Sequence, residues 1–459
     1  MIHKVMRRLL TAIVASAIIL AARPPASSYT LQYRDNSGIV ARRWLTSPIL
    51  ISFSTSLSTP PSNIKAGSDV IGATRRALRH WAEAADIQFM ELTSSAQTMS
   101  PQNVGDGINL ISVSADNAAV FGASESPGRT RVFYDAGGAI VEADIALNPN
   151  ELFSSDSTPG TYDLESTLTH ETGHLIGLDH SAVIGATMQP RQPKNGLYNL
   201  PALTQRTLSE DDYAGARSLY GPRKGIGSIS GKLMTNAAGR AETIFGGHVF
   251  AEDIATGKVV AGSITLANGD YHLDGLPAGE YRLIGQSLNG PVTAADIAPA
   301  GGSYFDLTET TPSFRSFVGV GPNLSQLIKV SANWAIDLNF FAFSIPPPSL
   351  KPEVIGMNDE LSTAALPLQP GKTFTIYIGG FGVDQVPVEG ISLSSPFMSV
   401  NAATVRPEEF ATPFPVISFD VKIARNVPPG DYSIRLRSST GELAYLAGAV
   451  TIERESNSK

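Results

Sequence analysis

His170-Glu171-Thr172-Gly173-His174-Leu175-Ile176-Gly177-Leu178-Asp179-His180 is the stretch that decides this chain. It holds three of the seven histidines in the protein. Within it, His170 and His174 are four residues apart, so on a helix both imidazoles leave one face and can reach a single metal ion. Glu171 lies between them, pointing to the side, where its carboxylate can hold a water on that metal. Gly177 tolerates a left-handed backbone and lets the chain turn out of the helix. That turn can bring His180 back as a third ligand. Three protein ligands with a fourth position left open describe a catalytic rather than a structural zinc site.

Working outward, Asp163 is a natural N-cap for the motif helix, and Glu165 in its first turn complements the helix dipole. Downstream, Ala186-Thr187-Met188-Gln189-Pro190 forms a tight turn whose methionine can serve as a soft floor beneath the ligating rings. Ser209 and Asp212 form a capping box for a closing helix that Gly221-Pro222 ends. Upstream, Trp44 to Thr55 reads as a first strand, and Gly67 to Ala85 as an amphipathic helix with Val70, Ala73, Ala77, Trp81 and Ala84 on one face. Ile87–Leu92, Gly107–Val113, Arg131–Tyr134 and Gly138–Asn148 read as further strands. His80, on the flank of the first helix, reads as a solvated side chain and not a ligand.

After Lys224 the helical periodicity stops. Short strands follow, separated by Gly, Asn-Gly and Pro turns, in the manner of a β-sandwich. Asn268-Gly269 signals a hairpin between Ser263–Ala267 and Tyr271–Leu273. His248 and His272 fall in this region without a third partner and read as structural or exposed. Pro346-Pro347-Pro348 is a stiff linker into a second β-rich unit, with strands at Phe374–Ile378, Ser418–Ile423 and Tyr432–Arg437.

Lys4, Arg7 and Arg8 precede the apolar run Leu9–Ala22, and Ala26 and Ser28 suit a cleavage site. This reads as a secretory signal over residues 1–28, with a mature start near Tyr29. Secretion or an extracellular location follows, with the cell surface and the periplasm as alternatives. No stable membrane span is expected once the signal is removed. There are no cysteines. Disulfides, a cysteine nucleophile, a lipid-modified cysteine and a thiolate latch on zinc are therefore all ruled out. A formal net charge of −8 without a basic cluster argues against nucleic acid as a partner.

The motif from His170 to His180, followed by Ser181 and Met188, resembles the metzincin zinc proteases. Ser181 directly after the third histidine points to their matrixin, matrix-metalloprotease-like branch. Arg43-Trp44, the helix around Trp81, Ala143-Asp144-Ile145 and Leu208–Tyr220 are similar as well, so the likeness runs roughly from Tyr29 to Pro222. The resemblance implies His170, His174 and His180 as zinc ligands, Glu171 as catalytic general base and Met188 as the Met-turn residue. It also implies a substrate, protein or peptide, bound as an extended strand along the sheet edge.

The implied fold class is an α+β metzincin-type domain, a twisted mixed sheet plus three long helices, followed by two all-β sandwich domains. The boundaries expected are 1–28 for the signal, 29–223 for the matrixin-like domain, 225–345 for a unit resembling carboxypeptidase-regulatory-like sandwiches, and 349–454 for an immunoglobulin-like unit. A monomer is expected.

Two departures stand out. The propeptide cysteine of vertebrate-type matrixins has no counterpart here. Their upstream structural zinc site is absent or replaced, because no histidine lies between His80 and His170. Asp135, Glu142 and Asp144 are candidates for a calcium site, against the ordinary reading of scattered carboxylates as solvated. The rival to a secreted zinc endopeptidase is a surface- or polymer-binding protein with a vestigial zinc domain. The intact Glu171 speaks against it.

Overall fold

The computed structural model describes residues 30–33, 41–102, 104–122, 126–222, 224–237, 240–297, 314–318, 327–343 and 348–453. The expected signal segment and most of the proline linker lie outside the described residues.

The first unit is built around a five-stranded sheet. Its elements in chain order are β1 (Ile49–Ser54), α1 (Val70–Ala84), β2 (Phe89–Ser94), β3 (Leu110–Ser112), the single turn α2 (Ala118–Phe121), β4 (Gly128–Tyr134) and β5 (Ile140–Leu147). The short pair β6 (Phe153–Ser154) and β7 (Tyr162–Asp163) then leads into α3 (Leu164–Leu175), and α4 (Glu210–Tyr220) closes the unit. The sheet order is β2-β1-β3-β5-β4. Every neighbouring pair is parallel except β4 with β5, so the sheet is mixed and β4 forms one edge.

The apolar face read for α1 is the buried one: Val70, Ala73, Ala77, Trp81 and Ala84 all sit in the core. Asp69 caps this helix through the Gly72 amide. α4 carries the expected capping box of Ser209 and Asp212. The expectation of three long helices is corrected: α1 has 15 residues, but α3 has 12 and α4 only 11. The cause is local. Gly177, at φ 103°, turns the chain just past α3, and Gly221, at φ 85°, terminates α4. A methyl group at Gly177 would lie 2.2 Å from the Arg42 carbonyl oxygen, so the turn accepts only glycine.

Two pairs of sheets follow. One sheet pairs β10 (His248–Asp253) with β11 (Val259–Ile264) and β13 (Gly279–Gln286), and β13 also pairs with β14 (Phe317–Val318) and β15 (Ile328–Val330). Facing it, β8 (Ile226–Ala237) pairs with β9 (Arg240–Thr243), β12 (Asp270–Pro277), β16 (Ala335–Asp337) and β17 (Phe340–Phe343). Ile229, Leu233, Val249, Ala251, Tyr271, Leu273 and Leu283 fill the space between. The single turn α5 (Ala294–Ile297) lies after β13.

The hairpin expected at Asn268-Gly269 is corrected. The turn forms, with Gly269 donating to Leu266 O. However, β11 pairs with β10 while β12 pairs with β8, so the turn carries the chain from one sheet to the other. Alternation and turn chemistry cannot tell an arch from a hairpin, because both bury one face of each strand.

In the last region, one sheet runs β19 (Glu360–Ser362), β18 (Lys351–Met357), β21 (Thr373–Phe381), β24 (Val416–Ile423) and β23 (Met398–Glu408). The other runs β20 (Leu366–Leu368), β26 (Leu443–Ile452), β25 (Gly430–Arg437) and β22 (Ile391–Leu393).

These regions are packed on one another. Val183 and Ala186, in the loop after the histidine motif, share an apolar cluster with Phe250, Val259 and Ile284 and with Tyr445 and Ala447. Glu252, buried in the first sandwich, forms an ion pair with Arg435 of the second. No helix among the described residues is long and apolar enough to cross a membrane.

Candidate active site

α3 is buried on almost every side, which its polar sequence would not suggest. Its threonines resolve the cost internally: Thr169 Oγ1 donates to Glu165 O at 2.7 Å and Thr172 Oγ1 to Leu168 O at 2.7 Å. Asp163 caps the helix, accepting from the Ser166 amide at 2.9 Å, and is also paired with Arg206. From α1, Trp81 Nε1 donates to Thr169 O at 2.8 Å. At the far end, Trp44 Nε1 donates to Leu175 O at 2.9 Å, and Gln32 Nε2 donates to His174 O and Leu178 O. Side chains from outside α3 thus hold the motif helix at both ends.

The structure brings His170, His174 and His180 together. Their candidate ligand atoms all lie within 4.8 Å of one another. Each ring is fixed through Nδ1: His170 donates to Thr187 O at 2.8 Å, His174 to Leu178 O at 2.9 Å and His180 to Asp296 O at 2.9 Å. A carbonyl oxygen can only accept, so each Nδ1 carries the proton and each Nε2 keeps its lone pair. This is the arrangement by which ligating histidines are oriented. Burial pushes His170 down to about 3, helped by His180 and opposed by the bond to Thr187. His174 and His180 are lowered for the same primary reason. Three neutral imidazoles with free Nε2 atoms fit a zinc ion.

Glu171 is buried beside β4. Thr130 Oγ1 donates to its Oε2 at 2.6 Å. Burial raises its carboxyl to about 7, with the Thr130 bond and the charge of Arg129 working the other way. Gly128 makes room for it: a methyl group there would sit 2.5 Å from Glu171 Oε1. Met188 is fully buried, and a methyl group on Gly173 would lie 2.2 Å from its Sδ, so the turn packs directly under α3. The turn is tied to α4, where Asp212 accepts from the amides of Thr187 at 2.8 Å and Met188 at 3.3 Å. Ser181 Oγ donates to Asp211 at 2.6 Å.

Residues 46–221 match the matrixin family. Relatives agree with this. Metalloendoproteinase 1 of Glycine max is 29% identical over 32% of this chain and 45% of its own length. Metalloendoproteinase 1-MMP of Arabidopsis thaliana is 31% identical over 34% of this chain and 38% of its own, and Stromelysin-1 of Rattus norvegicus is 30% identical over 33% and 29%. The chain thus spans less than half the length of these curated relatives. Among solved structures, the minor pilin GBS52 of Streptococcus agalactiae is 10% identical over 28% of this chain and 48% of that one, with a TM-score of 0.17. The matrixin family is zinc-dependent, and the three-histidine group suits that metal.

The remaining histidines lie elsewhere. His80, expected to be solvated, is instead bonded to Glu165 at 2.9 Å. His248 is buried, stacked on Phe250 and bonded to Gln286, in keeping with a structural role. Asp135, Glu142 and Asp144 each accept from backbone amides, Asp144 from Leu110 and Ser100. Among the described residues no cluster of His, Asp and Glu other than the three histidines converges on a metal-sized space.

Sequence reasoning missed Gly128, Thr130 and Asp296. The alternation points to a strand only from Arg131, whereas β4 begins at Gly128 and includes the first two. Nothing local to Asp296 marks it, because its partner is 116 residues away in the chain.

Proposed function

We propose that this protein is an exported zinc-dependent endopeptidase. The observation that carries the reading is the trio of neutral histidines, His170 buried and His174 and His180 half-buried, each locked through Nδ1, with Glu171 held beside them by Thr130. His170, His174 and His180 would hold the ion. Zinc bound there would supply a Lewis acid that polarises a carbonyl and acidifies water. Glu171 acts as general base, taking a proton from water and passing it to the departing amine. Thr130 fixes one carboxylate oxygen, so the other is presented in a single orientation. Met188 supports the histidine rings from below.

The substrate is a protein or peptide lying extended along the β4 edge, where it can add a strand to the sheet. That edge is open in the sheet order and runs directly past Glu171. The chain is organised as a signal segment at 1–28, the protease domain at 29–223 and β units at 225–345 and 349–454, and it works as a monomer outside the cytoplasm. Casein zymography with and without a zinc chelator tests the activity. Clearing that disappears with the chelator and returns with added zinc supports it; the same clearing in both lanes contradicts it.

A further inference from the structure

The third histidine is oriented from outside the matrixin-matching residues. His180 Nδ1 donates to the backbone oxygen of Asp296, which belongs to the first sandwich region, 75 residues past the end of the family match at residue 221. Asp296 is itself held on two sides. Its carboxylate accepts from the Thr293 amide at 2.8 Å and from Thr293 Oγ1 at 2.7 Å, which closes the turn. The same carboxylate takes a forked pair of bonds from Arg191, at 2.9 and 3.1 Å to Oδ1, with a further contact of 3.2 Å to Oδ2. Arg191 follows the Met turn directly, so the fork ties the turn that floors the histidines to the segment that orients the third one.

The attachment does not depend on polar contacts alone. Leu288, Val292 and Ile297, which flank the turn, are buried in the same apolar cluster as Ala182 and Ile184 of the protease unit. Apolar burial sets the segment down, the Arg191 fork fixes its rotation, and the carbonyl of Asp296 then faces His180.

We propose that Asp296 is a positioning residue for the metal centre, so that the first β region is a working part of the site and not an appendage to it. This deepens the zinc reading of His170, His174 and His180 and rests on it. His170 and His174 take their carbonyl partners from the protease unit itself, at Thr187 and Leu178, and only His180 borrows one. Without the borrowed carbonyl the His180 ring is free to rotate and to exchange tautomers, and its Nε2 presents a lone pair only part of the time. Loss of such a partner weakens metal binding by about 10- to 100-fold.

The test uses the full-length protein and zinc alone, with affinity read by competition against a chromophoric chelator. Asp296→Ala and Arg191→Ala are expected to weaken zinc at least about tenfold. The double variant should be no weaker than Asp296→Ala, because both changes act through one turn. Arg191→Lys, which keeps the charge but not the fork, should recover only part of the loss. In the apo protein the His180 Nδ1 proton, protected from exchange in the parent, should exchange with solvent in Asp296→Ala. A simple loss of packing would lower the melting temperature without exposing this one proton. Arg191 is half-exposed, so its variants remain informative even where Asp296→Ala folds poorly.

Zinc affinities within twofold of the parent in both alanine variants, beside a His180→Ala control that loses zinc, would overturn the role of Asp296 and leave the metal site standing. A His180→Ala control that keeps full affinity would overturn the metal reading itself, and this proposal with it.

Discussion

Replacing Gly128 by alanine should separate catalysis from metal binding. Gly128 lies on the edge strand β4, and a methyl group there would sit 2.5 Å from Glu171 Oε1, 2.7 Å from its Cγ and 2.8 Å from its Cδ. Ordinary contact begins at about 3.4 Å, so the carboxylate must retreat by roughly 0.9 Å or the strand must move away by as much. Either shift breaks the 2.6 Å bond from Thr130. A misplacement of about 1 Å at a reacting group costs on the order of a hundredfold in rate. Overpacking of this kind destabilises by about 1–3 kcal/mol, which a domain of this size can survive. The three atoms nearest the methyl group all belong to Glu171, so the strain falls on the carboxylate and zinc should remain bound. The assay is kcat/KM on a quenched fluorescent peptide, beside zinc content per chain and a thermal melt. The expected result is about a hundredfold lower kcat/KM at full zinc occupancy. A kcat/KM within threefold of the parent would refute the placement of Glu171 against β4.

Two further outcomes follow from the contacts between regions. Tyr198 Oη donates to Ala364 O at 3.1 Å and to Ile355 O at 3.4 Å, and Asn358 Nδ2 donates to Tyr198 O at 2.7 Å, so the last β region clamps the loop after the Met turn. Tyr198→Phe leaves two buried carbonyls without that donor and should cost about 1–3 kcal/mol, read as a lower melting temperature and faster proteolytic nicking within 191–200. Asp211 is buried between α4 and β11, accepting from Gly262 N and from Ser181, and burial, with Asp212 beside it, pushes its carboxyl up to about 8. The folded state therefore holds a proton that the unfolded chain releases near pH 4. Stability falls as pH rises between those values, at about 1.4 kcal/mol per pH unit for this group, and the full cost is present above about 8. Asp211→Asn removes the titration. Its melting temperature relative to the parent should rise from pH 5 to about pH 8 and then level off, and a constant difference across that range would count against a protonated Asp211.

What the sequence revealed was set by how local each cause is. The clustering of the three histidines, the Asp163 cap, the Ser209–Asp212 box and the α1 face each depend on residues a few positions apart, and all four are present. The resemblance implies long helices, whereas Gly177 and Gly221 act locally to end α3 and α4. The Asn268-Gly269 turn was legible, but which sheet each flanking strand joins depends on β8 and β10, far away in sequence. Thr130 and Gly128 matter only because β4 runs beside α3. Asp296 matters only because a later region folds back onto His180, and no spacing rule reaches across 116 residues.

The central claim is that Glu171 moves protons at a zinc site formed by the three histidines. The most direct measurement is the turnover of Glu171→Gln with its zinc content determined on the same sample. Glutamine keeps the shape and the Thr130 contact but cannot take a proton. The account predicts one zinc per chain, as in the parent, and a kcat lower by about 10²–10⁴-fold. Cleavage at the parent rate by the zinc-loaded variant would contradict it.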